Sequence, residues 1–270
     1  MTRYPLDALA ELPRMAREHL RAGGITTLDA LAALTPDELT RFKGIKTRAA
    51  AIHAGARAYV EDQPIRYADL PAICRGAGVM FDLETHPATG VPWSWGWIAA
   101  DGTPHTLVAA DLESAVPNAA SVSLDDGRAI HLAAGSDAAW RLFADLLSDS
   151  NCPIYHWTKF DQGVLRATAP RDVIAALDGR MHDLYASFKA TARLPVRSYS
   201  LKVVAPYLDR YTRGESGVSL WQEYDSWWLA WEDYRAWLRS GDPTPLARAC
   251  NYQQADVEGL SVVWNWLNAP

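Results

Sequence analysis

"GVMFDLETHP", residues 78–87, places two carboxylates two positions apart inside an apolar run. Val79, Phe81 and Leu83 alternate with Met80, Asp82 and Glu84, which is the period of a strand with two unlike faces, so Asp82 and Glu84 share one face. Two like charges aimed at one place repel, and a sheet that keeps them needs a cation or a partner to offset the repulsion.

The period of two continues outward from this stretch. "WSWGWIA" (93–99), "PHTLVAA" (104–110) and a segment at about 128–133 read as further strands, and about 136–148 reads as an amphipathic helix. "CPIYHW" (152–157) then leads into a helix beginning near Lys159, "RMHDL" (180–184) precedes another, and the remainder is mostly helical. Antiparallel strands followed by alternating strand and helix predict an α/β fold with a mixed sheet, antiparallel strands first and parallel strands after, flanked by helices. Upstream the pattern is different. Gly23-Gly24 and Pro36 punctuate short helical segments, Thr27 and Thr35 stand where helix caps belong, and Leu28, Leu31 and Leu34 mark an apolar stripe. The expected organisation is a small all-α module over 1–62, a linker over 63–77 and the main domain over 78–270.

Composition sets the limits. A chain of 270 residues, 49% hydrophobic and 21% charged, can bury a sizeable core. No apolar run reaches membrane-span length and the first twenty residues lack a signal-peptide core, so a cytoplasmic protein with no membrane partner is expected. Cys74, Cys152 and Cys250 lie far apart without a CxxC pair, which argues against zinc-finger chemistry. The net charge is −6, unevenly spread: residues 1–65 hold 9 Lys+Arg against 8 Asp+Glu, leaving 17 against 24 for the rest. A grip on nucleic acid must therefore be local.

Two further carboxylates join the pair. Asp161 follows Phe160 at the start of a helix in "YHWTKFDQGVL", and Asp256 sits in "ACNYQQADVEGLSVVWNWL", with Tyr252 one helical turn before it. Taken singly, each acid reads as a strand-end or solvated helix charge. Together they form an oxygen-only donor set, which suits Mg²⁺ or Mn²⁺. Two such ions about 3.5–4 Å apart can activate water and stabilise the leaving oxygen in phosphodiester cleavage, and a tyrosine beside them can orient the water.

"FDLET", "HWTKFD" and "YQQAD" resemble the three motifs of the DEDD exonuclease superfamily, with the tyrosine spacing of its DEDDy branch. With "MHDLY" and "SYSLKVV" between them, they resemble more closely the YprB-type ribonuclease H-like domain found at the C-terminal end of predicted RecB-family nucleases. The resemblance covers about residues 78–268. It implies an RNase H-like fold in which Asp82, Glu84 and Asp256 hold one metal, Asp82 and Asp161 hold a second, and Tyr252 orients water. Trp157 departs from it, standing where many relatives carry asparagine.

Lesser signals are weighed separately. Asp183 in "MHDLYASFK" suits a helix N-cap, although the family pattern also carries a supporting acid there. Lys202 can touch a phosphate or stay solvated, and His156 and His182 read as packed histidines beside the site. In "WQEYDSWWLAWEDYRAWL" (221–238), Trp221, Tyr224, Trp228, Trp231 and Leu238 form a stripe expected in the core, while Trp227 and Trp237 are left over. "LTRFKGIKTRAAAIHA" resembles the hairpin of a helix-hairpin-helix motif, with Lys46 in place of the usual second glycine. Its Arg41, Lys43, Gly44, Lys46 and Arg48 suit a duplex backbone, since residues 39–60 contain no acid.

These readings predict a nuclease dependent on two Mg²⁺ or Mn²⁺ ions, with DNA favoured over RNA. Its 3′-to-5′ exonuclease mode is implied by the resemblance alone. The alternatives are a catalytically silent nucleic-acid-binding adaptor or fragment of a larger nuclease, and an endonuclease using the same metals.

Overall fold

Capping chemistry sets the N-terminal helices in the computed structural model, which describes residues 4–110, 121–123, 129–149, 151–214 and 226–269. After α1 (Arg14–Ala22), the Thr27 side chain accepts the Ala30 N–H at the start of α2 (Leu28–Ala32). Thr35 and Glu38 form a reciprocal capping box on α3 (Pro36–Leu39), with Pro36 at the first helical position. Gly44, at φ +85°, turns the chain toward α4 (Ala49–Glu61). Leu20, Leu28, Leu31, Leu39, Ile45 and Ile52 bury together beneath these helices.

A two-residue strand, β1 (Ile65–Arg66), precedes the main sheet. β2 (Val79–Thr85), β3 (Pro92–Ile98), β4 (Pro104–Ala110), β5 (Ser121–Ser123) and β6 (Ala129–Ala134) lead to α5 (Gly135–Leu146). β7 (Ile154–His156), α6 (Phe160–Thr168), α7 (Arg171–Leu177) and β8 (Met181–Asp183) follow. The chain closes with α8 (Leu184–Thr191), β9 (Ala192–Arg193), α9 (Leu201–Arg213), α10 (Trp227–Ser240) and α11 (Pro243–Asn268). Among the described residues no helix is long and apolar enough to cross a membrane.

The sheet order is β5-β6-β4-β3-β2-β7-β8. β2, β3 and β4 pair antiparallel, and β2, β7 and β8 pair parallel, giving the expected mixed sheet. One difference concerns the strand near 128–133, grouped by pattern with the antiparallel set: as β6 it runs parallel to β4. Alternation reports which face a residue takes and not which way its strand runs. β5 is too short to show a period and was not anticipated.

The sheet buries both faces. On one, Phe81, Leu83, Trp95, Trp97 and Leu107 pack against Trp140 and Phe143 of α5, with Phe81 stacked on Phe143 at 4.8 Å. On the other, Val108, Ile130 and Leu132 pack under α10 and α11. A bulge lies between the pairs Glu84–Ser94 and Thr85–Pro92, leaving Trp93 as the extra residue on β3. Trp93 stacks on Tyr234 of α10 at 4.4 Å. This corrects the expected tryptophan stripe. Trp231, Tyr234 and Trp237 are buried, Trp228 is exposed, and Trp221 and Tyr224 lie outside the described residues. Ser226 caps α10 by accepting the Trp228 N–H, and the buried face of the helix runs through Ala230, Trp231, Tyr234 and Trp237.

Contacts divide the chain into two units. The first gathers Met1–Cys74, Ala186–Gly217 and Trp266–Pro270, so β1 pairs with β9 inside it. The second, Arg75–Tyr185 with Val218–Asn265, holds the sheet and all four acids.

Candidate metal centre

Strand alternation places Asp82 and Glu84 on the face covered by α10 and α11. Their cross-strand partners are Gly96 and Ser94, two small residues that leave room above β3. Gln253 of α11 fills that room. It is fully buried, accepts a hydrogen bond from the Ser94 hydroxyl and donates to the Asp82 carbonyl at 3.3 Å. A Cβ on Gly96 would stand 2.8 Å from the Gln253 Cγ, so only glycine lets the helix come this close. The glutamine thereby ties α11 to β2 and β3. Three residues on, Asp256 is carried to the two strand acids.

Ligand oxygens of Asp82, Glu84 and Asp256 lie within 4.8 Å of one another. Glu84 is 9% exposed and Asp256 8%, so the cluster is largely out of bulk water. Tyr252, one turn before Asp256, buries its ring in the layer containing Trp93 and Trp231.

Asp161 arrives from the other side of β2, on the first turn of α6. The β7–α6 turn is tight: Thr158 takes φ +69°, the left-handed region that β-branched residues rarely adopt. The buried His156 Nδ1 donates to the Thr158 carbonyl and stands 3.7 Å from the Asp161 carboxylate. The Leu83 N–H and the N–H of Asp161 itself donate to the Asp161 carboxylate. Burial raises the Asp161 carboxyl from its ordinary 3.8 to about 8 against those donors, and the Asp256 and Asp183 carboxylates add to the rise. Its Oδ1 is buried with no hydrogen-bond partner among the described residues. Burial lowers the pKa of His156.

Asp183 ends β8 opposite His156 and directly before α8, a position open to both readings of it. The remaining candidates belong to the first unit. Arg41, Lys43 and Lys46 are exposed around Gly44, Arg48 is half-buried at the start of α4, and Lys202 is half-buried on the first turn of α9.

The donor set fits hard divalent cations. All donors are carboxylate oxygens, three converge, and a fourth carboxyl is held protonated by burial and by its acidic neighbours, a condition that a cation would reverse. Sequence reasoning missed Ser94, Gly96 and Gln253. The run "YQQAD" does contain the glutamine, but nothing local distinguishes a polar staple from a solvated side chain.

The family model RNase_H_2, of the RNase_H superfamily, matches residues 128–268, just over half of the chain, and includes Asp161, Tyr252 and Asp256. Neither the curated proteins nor the solved structures gave a match. Asp82 and Glu84 lie outside the matched stretch and join the site through strand pairing and the α11 contact. With its mixed sheet and matched C-terminal half, the chain belongs to the RNase H superfamily.

Proposed function

We propose that the chain is a two-metal-ion nuclease, a cytoplasmic 3′-to-5′ exonuclease that acts on DNA. The observation that carries this reading is the convergence of Asp82, Glu84 and Asp256 within 4.8 Å, next to the buried Asp161, in a chain of the RNase H superfamily. Asp82, Glu84 and Asp256 would hold one cation, and Asp82 with Asp161 would hold a second. Bound there, Mg²⁺ or Mn²⁺ would supply an activated water and a clamp on the leaving oxygen. Tyr252 orients the water through its hydroxyl, and Gln253 holds Asp256 over β2. Asp183 supports Asp161 from β8. Residues 1–62 form a helix-hairpin-helix-like module in which Arg41, Lys43, Lys46 and Arg48 meet duplex phosphates around Gly44, and Lys202 meets a further phosphate.

Digestion of 5′-labelled single- and double-stranded DNA and RNA in Mg²⁺, Mn²⁺ or EDTA tests the reading. A ladder shortening from the 3′ end, abolished by EDTA, is expected on DNA. Uncut substrates under all conditions would favour the silent adaptor, and internal products would favour an endonuclease.

A further inference from the structure

We propose that Trp227 and Trp228, at the start of α10, form a stacking platform for the unpaired bases of a single-stranded nucleic-acid end held at the acidic centre. The inference rests on the nuclease reading and gives that site its substrate form.

Contacts along α10 set the direction of the helix. Trp231 packs edge-on against His86 at 4.6 Å, and His86 lies two residues beyond Glu84 at the end of β2. One turn later, Tyr234 stacks on Trp93 of β3 and its hydroxyl donates to the Ala109 carbonyl of β4 at 2.7 Å. α10 thus runs outward from β2 across β3 to β4. Its first turn falls on the β2 side, the side of the strand that carries Asp82 and Glu84.

That first turn is apolar and open. Trp227 and Trp228 are 49% and 47% exposed, and their rings meet edge-to-face at 5.8 Å. Trp231, Tyr234 and Trp237 supply the buried face of α10, and among the described residues packing does not account for the exposed pair. Indole rings are normally well buried, and two adjacent exposed ones on the β2 side of α10 mark a contact surface.

Charge selects the occupant. Residues 66–270 carry 17 Lys+Arg against 24 Asp+Glu, so bulk attraction cannot hold a polyanion near the acids. Stacking on an aromatic face needs no net charge and tolerates any base. Inside a duplex both faces of every base are covered by stacked neighbours, so a row of free base faces exists only where bases are unpaired. The ligand is therefore a single strand or a frayed end, and a duplex interior is excluded.

The test uses the full chain carrying Asp82→Ala in EDTA, so that turnover does not enter. Fluorescence anisotropy measures binding of labelled 12-residue oligothymidylate, oligouridylate and a blunt DNA duplex, at low and high salt. Relative to this parent, adding Trp227→Ala and Trp228→Ala should raise the single-strand Kd roughly tenfold or more at both salts, from the typical loss per stacked base. Duplex affinity should stay within about twofold, and Trp227→Phe with Trp228→Phe should restore most of the loss, because phenylalanine keeps a stacking face. Several results would overturn the proposal: no measurable single-strand binding by the parent, an unchanged Kd, equal losses on single strand and duplex, or no rescue by phenylalanine. A change in sedimentation with unchanged Kd would assign the pair to contact between copies of this chain. A wild-type chain that binds as expected yet cleaves nothing would defeat the nuclease reading alone.

Discussion

At Gly96 a methyl group would meet Gln253 carbons at 2.8 and 2.9 Å, too close to be absorbed without moving α11 or the glutamine. Gly96→Ala should cost about 1–3 kcal/mol in denaturant unfolding, the usual range for overpacking. It should also lower turnover more than substrate affinity, because displacing α11 displaces Asp256. Unchanged turnover in a destabilised variant would separate the staple from the chemistry. Asp82→Ala should abolish hydrolysis while circular dichroism and melting stay close to wild type, since it removes one of several mutually repelling carboxylates. Tyr252→Phe should be milder, slowing the rate about ten- to a hundredfold at the low end of proton-transfer contributions, with metal affinity kept. Wild-type rates in the Phe variant would return Tyr252 to packing. Asp82 and Glu84 were readable in the sequence because strand alternation is a local code. Gln253 was not, because its role depends on a glycine over a hundred and fifty residues away.

Among the elements, the β7–α6 turn holds the least comfortable backbone. Thr158 sits at φ +69°, where a threonine side chain is disfavoured by roughly 1–2 kcal/mol. Asparagine tolerates this region through local hydrogen bonding. Thr158→Asn should therefore raise stability by about 1 kcal/mol in urea unfolding while His156 and Asp161 keep their places. A destabilised variant would mean that the threonine methyl or hydroxyl contributes more than the backbone loses. The strand and helix around this turn were readable from the apolar run 152–157 and the helical pattern after it. The left-handed residue was hidden, because no glycine advertised it. The bulge that frees Trp93 was hidden for a related reason: one extra residue shifts the phase of β3 without changing its composition. The tryptophan stripe was undone by a rotation of the helix: the buried face of α10 runs through Ala230, Tyr234 and Trp237, which turns Trp228 to solvent.

Over the whole molecule, the order of acids along the chain carried the family, while the path that brings them together required the sheet. The unequal charge of the two ends was also plain in the sequence, and it has a measurable consequence. Charge reversal at Lys43 and Lys46 should weaken duplex binding about equally across sequences and flatten its salt dependence, because phosphate contacts release counterions whatever the bases. Equal salt slopes for both proteins would refute a phosphate grip in the N-terminal module. The acidic centre also makes stability depend on pH. Asp161 holds its proton up to about 8 when folded and releases it near 3.8 when unfolded, so the metal-free folded state binds more protons between these values and loses stability as pH rises through them. In EDTA the melting temperature should fall from pH 7 to pH 8 and level off above it, and Asp161→Asn should flatten the fall. A flat wild-type profile would mean that Asp161 is already ionised. The most direct measurement of the central claim is anomalous scattering from a crystal of the wild-type chain soaked in Mn²⁺. The account predicts two peaks, one among Asp82, Glu84 and Asp256 and one between Asp82 and Asp161; no peak at these carboxylates would contradict it.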